Sequence, residues 1–238
     1  MGMLRLLGLL IVLCFPVNVL ADVNCVVLLH GLSRTSISMN RIEAGLEHAG
    51  FTVVNLNYPS RDYPLEQLAM DAVGRGIEAC EEYSPTRIHF VAHSLGGILV
   101  RYYFLNEQHP KLGRVVMLGP PNHGSEVVDT LRGIPGFALL NGPSGGQLGT
   151  GNGSMPRFLG AVGFELGVIA GNQFVNPLFA IIVPGPNDGA VSVASTRVEG
   201  MRQHLILPVT HSFMMYNPEV IEQAINFLKT GSFVRDMN

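Results

Sequence analysis

A serine lies at the junction of two different sequence patterns in the segment Ile88–Gly97. An apolar run typical of a buried strand ends at Ala92 and a helical pattern begins at Leu95, which predicts a sharp turn centred on Ser94. Such a turn needs small residues two positions before and after the serine. Ala92 and Gly96 meet this need, although glycine is more common at the first position. We therefore interpret Ser94 as a candidate nucleophile, the alternative being a serine that only caps the helix.

A serine alcohol is a weak nucleophile, so a base and an orienting acid are expected after later strands. The acid candidate is Asp188, in the turn-forming segment Pro184–Val191 that follows a predicted strand. The alternative for this residue is an ordinary Asp-Gly turn. The other downstream acids lie in an irregular segment, at the start of a strand or on a polar flank; they are chiefly Asp129, Glu165 and Glu199.

Of the eight histidines, only His204 and His211 follow Asp188 in the sequence. They stand at opposite ends of the last predicted strand, and only the carboxyl end of that strand meets the serine in a parallel sheet. His211 is therefore the candidate base, and His204 is predicted to be a partly exposed strand residue. In this interpretation His211 accepts the serine proton and returns it to the leaving group, while Asp188 fixes the imidazole tautomer.

A tetrahedral intermediate also needs hydrogen-bond donors for its oxyanion. The turn His30–Leu32 follows the first predicted strand, and Leu95 begins a helix, so the backbone amides of Leu32 and Leu95 are the predicted pair. A His-Gly pair after a strand is otherwise an ordinary turn. His123 follows the fourth predicted strand, and we expect it to line the site or to organise its loop without a catalytic role.

Short β-branched runs alternate with amphipathic stretches in the rest of the chain, the pattern of a parallel sheet with helices on both faces. The predicted strands are Val26–His30, Thr52–Leu56, Ile88–Ala92, Arg114–Leu118, Leu166–Ala170 and His204–Leu207. The predicted helices are Met39–Ala49, Pro64–Tyr83, Leu95–Gln108 and Pro218–Lys229. This order predicts one α/β domain in which the candidate residues follow strands.

The regular pattern fails between Gly119 and Gly163, where six glycines crowd into residues 142–153. A long loop inside a compact domain is usually functional or disordered. We therefore interpret this insertion, about residues 125–163, either as an active-site lid or as a mobile segment without a role. Its apolar residues would suit a fatty-acyl groove or would only anchor the loop; they are Phe137, Leu139, Leu140 and Leu148.

Composition excludes several classes of function. Only 14% of the 238 residues are charged, and 15 basic against 18 acidic side chains give a net charge of −3. Because this balance offers no basic surface for a polyanion, nucleic acid is not an expected partner. The sequence has no zinc-type spacing of His and Cys, no calcium loop and no phosphate-binding glycine loop. We therefore do not expect metal catalysis.

The first 21 residues have the layout of a secretory signal. Arg5 precedes the apolar run Leu6–Phe15, and Val19–Ala21 forms a small-residue cleavage site. The apolar run is shorter than the ~20 residues of a membrane span, so a retained anchor is the weaker interpretation. We expect cleavage after Ala21 and a secreted or periplasmic mature domain at residues 22–238.

Export affects how the two cysteines of the mature chain are interpreted. Cys25 begins the first predicted strand and Cys80 ends the helix that leads into a neighbouring strand, so both lie at one end of the sheet. An oxidising compartment permits a disulfide between them, and the alternative is two buried free thiols.

Together these motifs resemble those of α/β-hydrolases, and more narrowly those of small secreted bacterial lipases and esterases. The resemblance covers Val26 to about Leu228. It depends on the serine turn, on the order Ser, Asp, His, and on the segments His30–Leu32, Pro121–Ser125 and Asn187–Gly189. It implies an α/β-hydrolase fold and hydrolysis of carboxylic esters through an acyl-serine intermediate without an organic cofactor. The expected substrate is a small-molecule or lipid ester, and the resemblance leaves contact with a lipid surface open.

The same three residues could also serve acyl transfer or the hydrolysis of thioesters or amides, because fold and triad do not set the acceptor. A catalytically silent module that binds an acyl ligand or a partner protein is an alternative of another class. The presence of all three residue types argues against it, because a module relieved of catalysis need not keep them.

Overall fold

The computed structural model describes residues 23–175 and 182–234, so the predicted signal segment lies outside the described residues. Six strands form one sheet in the order β2-β1-β3-β4-β5-β6, and every neighbouring pair is parallel. The strands are β1 Asn24–Leu29, β2 Thr52–Leu56, β3 Arg87–His93, β4 Leu112–Leu118, β5 Leu166–Gly171 and β6 Gln203–Leu207. The predicted α/β architecture is confirmed, with strand ends displaced by at most two residues from the predicted bounds.

Helices cover both faces of the sheet, as predicted. Helices α1 (Asn40–His48) and α7 (Pro218–Thr230) pack on one face, while α2 (Leu65–Glu81) and α3 (Leu95–Asn106) pack on the other. No helix in the described part of the chain is both long enough and apolar enough to span a bilayer.

The strand β1 shows why the sheet lies between two helical layers. Val26 and Leu28 belong to the core beneath α1 and α7, while Val27 and Leu29 belong to the core beneath α2 and α3. All four side chains are fully buried. Because alternate residues of a strand point to opposite faces, a strand buried on both sides becomes a continuous apolar run.

A disulfide joins Cys25 to Cys80, whose Cα atoms lie 5.8 Å apart. It connects the start of β1 to the end of α2, at the edge of the sheet opposite the carboxyl ends of the strands. The sequence was compatible with a disulfide or with two buried free thiols, and the structure contains the disulfide. In the chain-entropy view, a cross-link that closes a loop of this length stabilises the fold by roughly 4 kcal/mol.

The insertion contains more regular structure than the sequence predicted. It forms α4 (Glu126–Leu131), α5 (Phe137–Gly146) and α6 (Met155–Phe158). Hydrogen bonds tie it to the loops after β1 and β2: the Ser144 hydroxyl donates to the Ser60 carbonyl at 2.5 Å, and the Ser33 hydroxyl donates to the Leu140 carbonyl at 3.2 Å. Gly142 interrupts α5 with φ 64° and ψ −172°, which leaves pieces too short to show helical periodicity.

Candidate active site

Ser94 occupies a strained turn between β3 and α3, with φ 52° and ψ −117°. A non-glycine residue in such a conformation costs of order 1 to 3 kcal/mol and persists only where its surroundings hold it. Here the Ser94 amide donates to the Leu118 carbonyl at 2.9 Å, and the Gly97 amide donates to the Ser94 carbonyl at 3.0 Å. The turn therefore holds the serine at the carboxyl edge of the sheet.

The two small residues around the serine have a steric cause. A Cβ atom at Gly96 would lie 2.8 Å from the Leu29 carbonyl oxygen and 3.1 Å from that of His30, so no side chain fits between α3 and the end of β1. Ala92, on the other side, is completely buried. The close contacts at Gly96 explain the glycine two residues after Ser94, and the complete burial of Ala92 is compatible with its small side chain.

The structure brings the three predicted residues together. His211 Nε2 lies 3.0 Å from Ser94 Oγ, and His211 Nδ1 lies 2.7 Å from Asp188 Oδ2. Because a carboxylate only accepts, Nδ1 donates to Asp188, and Nε2 is left free to accept the serine proton. The arrangement can therefore withdraw a proton from the serine hydroxyl along one continuous line of hydrogen bonds.

Asp188 is held from several directions. Its Oδ1 accepts from the amides of Ala190 at 3.0 Å and Val191 at 2.8 Å, and its side chain has no exposed surface. Its carbonyl accepts from the His211 amide at 2.9 Å. These bonds fix the carboxylate beside the imidazole, which an ordinary Asp-Gly turn would not require.

His93, the residue before the serine, holds the backbone of the candidate base His211 in place. Its Nε2 donates to the carbonyl of His211 at 2.9 Å, and the two ring centroids lie 4.8 Å apart. Burial, followed by the proximity of His211, holds the pKa of His93 well below its usual value. His93 was not among the site residues predicted from the sequence. Its position next to the serine was the available signal.

Gly119, which follows β4, is a second residue that the sequence analysis missed. It has φ +54°, and a Cβ atom there would lie 2.9 Å from Asp188 Oδ2 and 3.1 Å from His211 Nδ1. The hydrogen bond between acid and base therefore needs a residue without a side chain at this position. A glycine directly after a predicted strand, at the carboxyl edge, was the signal that could have found it.

The predicted oxyanion turn lies against the serine, since a Cβ atom at Gly31 would be 3.3 Å from Ser94 Cβ. The amide of Leu95 is the first of helix α3, so it has no acceptor within the helix. Within the described residues, the Leu32 amide likewise donates to no protein group. The oxyanion role of Leu32 and Leu95 stays a prediction, and these positions are compatible with it.

His30 stabilises this turn from the core. Its Nδ1 donates to the Gly31 carbonyl at 2.9 Å, its Nε2 accepts from the Tyr58 amide at 3.3 Å, and its ring stacks on that of Tyr58 with centroids 4.1 Å apart. Burial lowers the pKa of His30, which keeps the ring neutral and able to accept.

A buried guanidinium connects the serine helix to the insertion. Arg101 of α3 donates to the Asn122 carbonyl at 2.9 Å and to the carbonyls of Pro156 at 3.3 Å and Gly160 at 2.6 Å. Its burial lowers its pKa to about 10. Asn122 in turn donates from Nδ2 to the Thr196 carbonyl at 2.8 Å, which extends the network to the loop that carries the acid.

Neither of the other two candidate histidines reaches the serine. His204 Nε2 donates to the Thr196 hydroxyl at 2.8 Å, because that hydroxyl itself donates to the Val193 carbonyl. Burial and, after it, the charge of Arg197 lower the pKa of His204 to about 4. His123 is exposed, and its amide donates to the Ser195 carbonyl at 3.0 Å, so it helps to organise its loop and does not line the cavity at the triad.

A mostly apolar cavity of about 440 Å³ opens beside Asp188 and His211, with walls that include Val127, Val175 and Phe213. None of the four apolar residues of the insertion that could form a fatty-acyl groove lines this cavity. Leu148 is buried in the core, Phe137 packs against that core, and Leu139 and Leu140 point to solvent with 86% and 64% of their surfaces exposed. A larger cavity of about 780 Å³ lies under the insertion and is lined by none of the triad residues.

Known structures share this fold. The chain superposes on the propeptide form of the lipase BlEst2 from Bacillus licheniformis with a TM-score of 0.72, 18% identity, and coverage of 92% of this chain and 53% of that one. It is also similar to the phospholipase PlaB from Legionella pneumophila, with a TM-score of 0.67, 18% identity, and coverage of 89% and 60%. Aspergillus fumigatus lipase B gives a TM-score of 0.66 at 18% identity, with coverage of 89% and 54%. The chain thus spans about half to three fifths of these structures.

At this level of identity the superpositions show the fold alone. A search of curated proteins found no significant match. A family model described as the alpha/beta hydrolase family matches residues 26–184, which include the serine turn and most of the sheet. The chain is therefore a member of the alpha/beta hydrolase family.

Proposed function

We propose that this hydrolase cleaves carboxylic esters through an acyl-serine intermediate. The observation that carries the proposal is the continuous hydrogen-bonded line from Ser94 Oγ through His211 to Asp188, with distances of 3.0 Å and 2.7 Å. The line starts at a serine held at positive φ, and an apolar cavity opens beside its other two members, His211 and Asp188. This combination supplies an activated nucleophile, a proton carrier and space for an acyl group.

In the proposed reaction Ser94 Oγ attacks the ester carbonyl while His211 Nε2 takes its proton. The amides of Leu32 and Leu95 donate to the oxyanion of the tetrahedral intermediate. His211 then gives the proton to the leaving alcohol as its bond to the acyl carbon breaks. Water repeats the sequence on the acyl-serine, releasing the carboxylic acid and restoring the serine.

Two further features support the substrate class and the compartment. The similar structures carry the names lipase and phospholipase, and the cavity walls at Val127, Val175 and Phe213 suit an acyl chain. We also propose that the protein is exported, because the first 21 residues resemble a secretory signal and the bridge between Cys25 and Cys80 is typical of oxidising compartments.

The proposal is tested by hydrolysis of nitrophenyl esters from acetyl to palmitoyl, with the mature wild type and Ser94→Ala. We expect activity in the wild type and a loss of at least about a thousandfold in the variant. Ser84→Ala is the matched control, since Ser84 is also a serine at positive φ, 49°, in a turn remote from the sheet's carboxyl edge.

Other outcomes identify the alternatives. Ester product formed faster than acid in the presence of an alcohol would indicate acyl transfer. Labelling of Ser94 by a fluorophosphonate without hydrolysis of any ester would point to thioester or amide substrates. Absence of both labelling and hydrolysis would contradict the proposal and favour a binding module.

A further inference from the structure

Arg34 lies at the meeting point of two cavities. It follows the predicted oxyanion turn, which its amide closes by donating to the Gly31 carbonyl at 3.3 Å. Arg34 lines the apolar cavity beside Asp188 and His211. It also lines a second cavity of about 520 Å³ between the loops after β1 and β2. A group bound in either cavity would therefore meet the same guanidinium.

The second cavity is cationic. Its described lining includes three arginines, Arg34, Arg61 and Arg75, and one acidic residue, Asp62. This concentration of positive charge occurs on a protein whose net charge is −3. Because opposite charges attract most strongly where few counter-charges are near, this wall favours an anionic ligand.

The three arginines differ in whether their side chains already bind other groups of the protein. Arg75 forms an ion pair with Asp71 at 2.7 Å, and Arg61 donates to the Leu140 carbonyl at 3.3 Å. Within the described residues, the side chain of Arg34 forms no hydrogen bond and no ion pair. Its five N–H donors are therefore available to a ligand.

The charge of Arg34 also acts on the site itself. After burial and the neighbouring His211, Arg34 is among the groups that lower the pKa of His93, the residue beside the serine. The guanidinium is thus close enough to influence groups beneath the triad. Ser94 follows His93 directly, so a substrate bound at Ser94 would lie near a residue on which this charge acts.

We propose that Arg34 determines specificity for esters whose alcohol part carries a phosphate group. This inference rests on the proposed ester hydrolysis. The acyl chain would occupy the apolar cavity at Val127 and Phe213, and the phosphate would occupy the cationic cavity, with Arg34 between them. A planar guanidinium can bind phosphate oxygens with two parallel hydrogen bonds, which a neutral alcohol cannot match.

The test compares two soluble substrates with the same acyl chain, hexanoylglycerol and hexanoyl glycerophosphate, on wild type and Arg34→Gln. We expect wild type to prefer the phosphate ester. In Arg34→Gln the ratio of kcat/KM for the phosphate ester to that for the neutral ester should fall about tenfold, mainly through KM. Raising the ionic strength should reduce the wild-type preference and leave the smaller preference of the variant nearly constant.

Arg87→Gln is the matched control, because Arg87 begins β3 at the opposite edge of the sheet and donates to the Leu112 carbonyl. It should keep the wild-type ratio. A second measurement uses vesicles of phosphatidylglycerol. If hydrolysis depends on Arg34 in vesicles as well as with the soluble phosphate ester, the natural phosphate group belongs to a membrane lipid. If it depends on Arg34 only with the soluble ester, the natural substrate is a free phosphate ester.

Three outcomes would overturn the inference. Wild type could show no preference for the phosphate ester, Arg34→Gln could keep the wild-type ratio, or Arg87→Gln could lose it equally. The first two leave the proposed ester hydrolysis intact as long as the neutral ester is cleaved and Ser94→Ala is inactive. If wild type cleaves neither ester nor any nitrophenyl ester, the proposed function itself fails.

Discussion

Two regions that frame the candidate site are built in opposite ways. The acid loop, residues 184–198, has neither a helix nor a named strand, yet Asp188 and Asn187 within it are 2% and 3% exposed. The insertion, residues 125–163, has three helices, yet Leu139 is 86% exposed and Ile134 54%. Regular secondary structure therefore does not measure how firmly a segment is held. Hydrogen bonds from buried polar groups do so more directly, and they are concentrated in the acid loop.

The sharpest test of this difference replaces one aspartate in each region. Asp188→Asn should lower kcat about ten-thousandfold, because an amide no longer selects the tautomer that leaves His211 Nε2 free. Asp129→Asn is the counterpart in the insertion, where Asp129 accepts from the Thr150 amide at 2.9 Å and hydroxyl at 2.6 Å. It should cost less than about tenfold in kcat. Equal losses in steady-state ester hydrolysis would contradict the distinction.

A single methyl group distinguishes crowding from backbone strain. Gly119→Ala should lower kcat about a hundredfold, because the new Cβ atom would push apart Asp188 and His211. Gly136→Ala in the insertion also has positive φ, +92°, but no atom within 4 Å of the added carbon. It should lower stability while keeping kcat, as measured by ester hydrolysis and urea denaturation. An active Gly119→Ala would show that the acid and base tolerate displacement.

The polar network behind the acid loop should matter for stability. Asn122→Ala removes the acceptor Oδ1 for Arg101 and the donor to the Thr196 carbonyl, both buried. We expect the free energy of unfolding in urea to fall by about 2 kcal/mol. Asn106→Ala is the exposed control, since Asn106 donates to the Tyr102 carbonyl at the surface, and it should change stability by less than about 0.5 kcal/mol.

The same network predicts a pH dependence. The pKa of His204 is lowered from 6.5 to about 4, so the unfolded chain binds this proton more readily than the folded one between those values. The stability that depends on neutral His204 is complete above about pH 6.5 and is lost as the pH falls toward 4. His204→Gln should make the free energy of unfolding, measured by urea denaturation, depend less on pH between about 4 and 6.5. Part of the pH dependence of the unfolding free energy would remain, because burial also lowers the pKa of His30 and His93. An unaltered slope would contradict the assignment.

The smallest effect is expected at the exposed surface of the insertion. Leu139→Ser should change the free energy of unfolding by less than about 0.5 kcal/mol, because its side chain is already in solvent. Leu148→Ser, at 3% exposure, should cost about 3 kcal/mol. Thermal unfolding of the pair would refute the comparison if both substitutions had similar effects.

The elements that position the site could be predicted because each has a strong local pattern. β1 and β3 are buried on both faces: β1 is apolar from Cys25 to Leu29, and β3 is apolar from Ile88 to Ala92 except for His89. Helix α3 begins directly after the serine. The choice of His211 over His204 needed only the rule that parallel strands present their carboxyl ends at one edge. The structure places His211 beside Ser94 and places His204 against Thr196.

Other features had no local pattern to read. Helix α5 is broken at Gly142 and α6 has four residues, so neither shows helical periodicity. The burial of Leu148 and the exposure of Leu139 depend on the path of the insertion across the domain, not on their neighbours in sequence. The contact between Arg101 and Gly160 joins residues 59 positions apart, and it exists only once both segments have packed.

That contact has a consequence for how the chain folds. The donors of Arg101 are shared between the loop after β4 and the end of the insertion, and within residues 23–175 and 182–234 no carboxylate forms an ion pair with this buried guanidinium. A half-assembled domain would leave a charge in the core with its acceptors missing, a state that is costly to populate. Helix α3 and the last part of the insertion are therefore expected to form and to melt in one cooperative step, so that truncating the insertion near Gly160 would remove the domain rather than uncover its site.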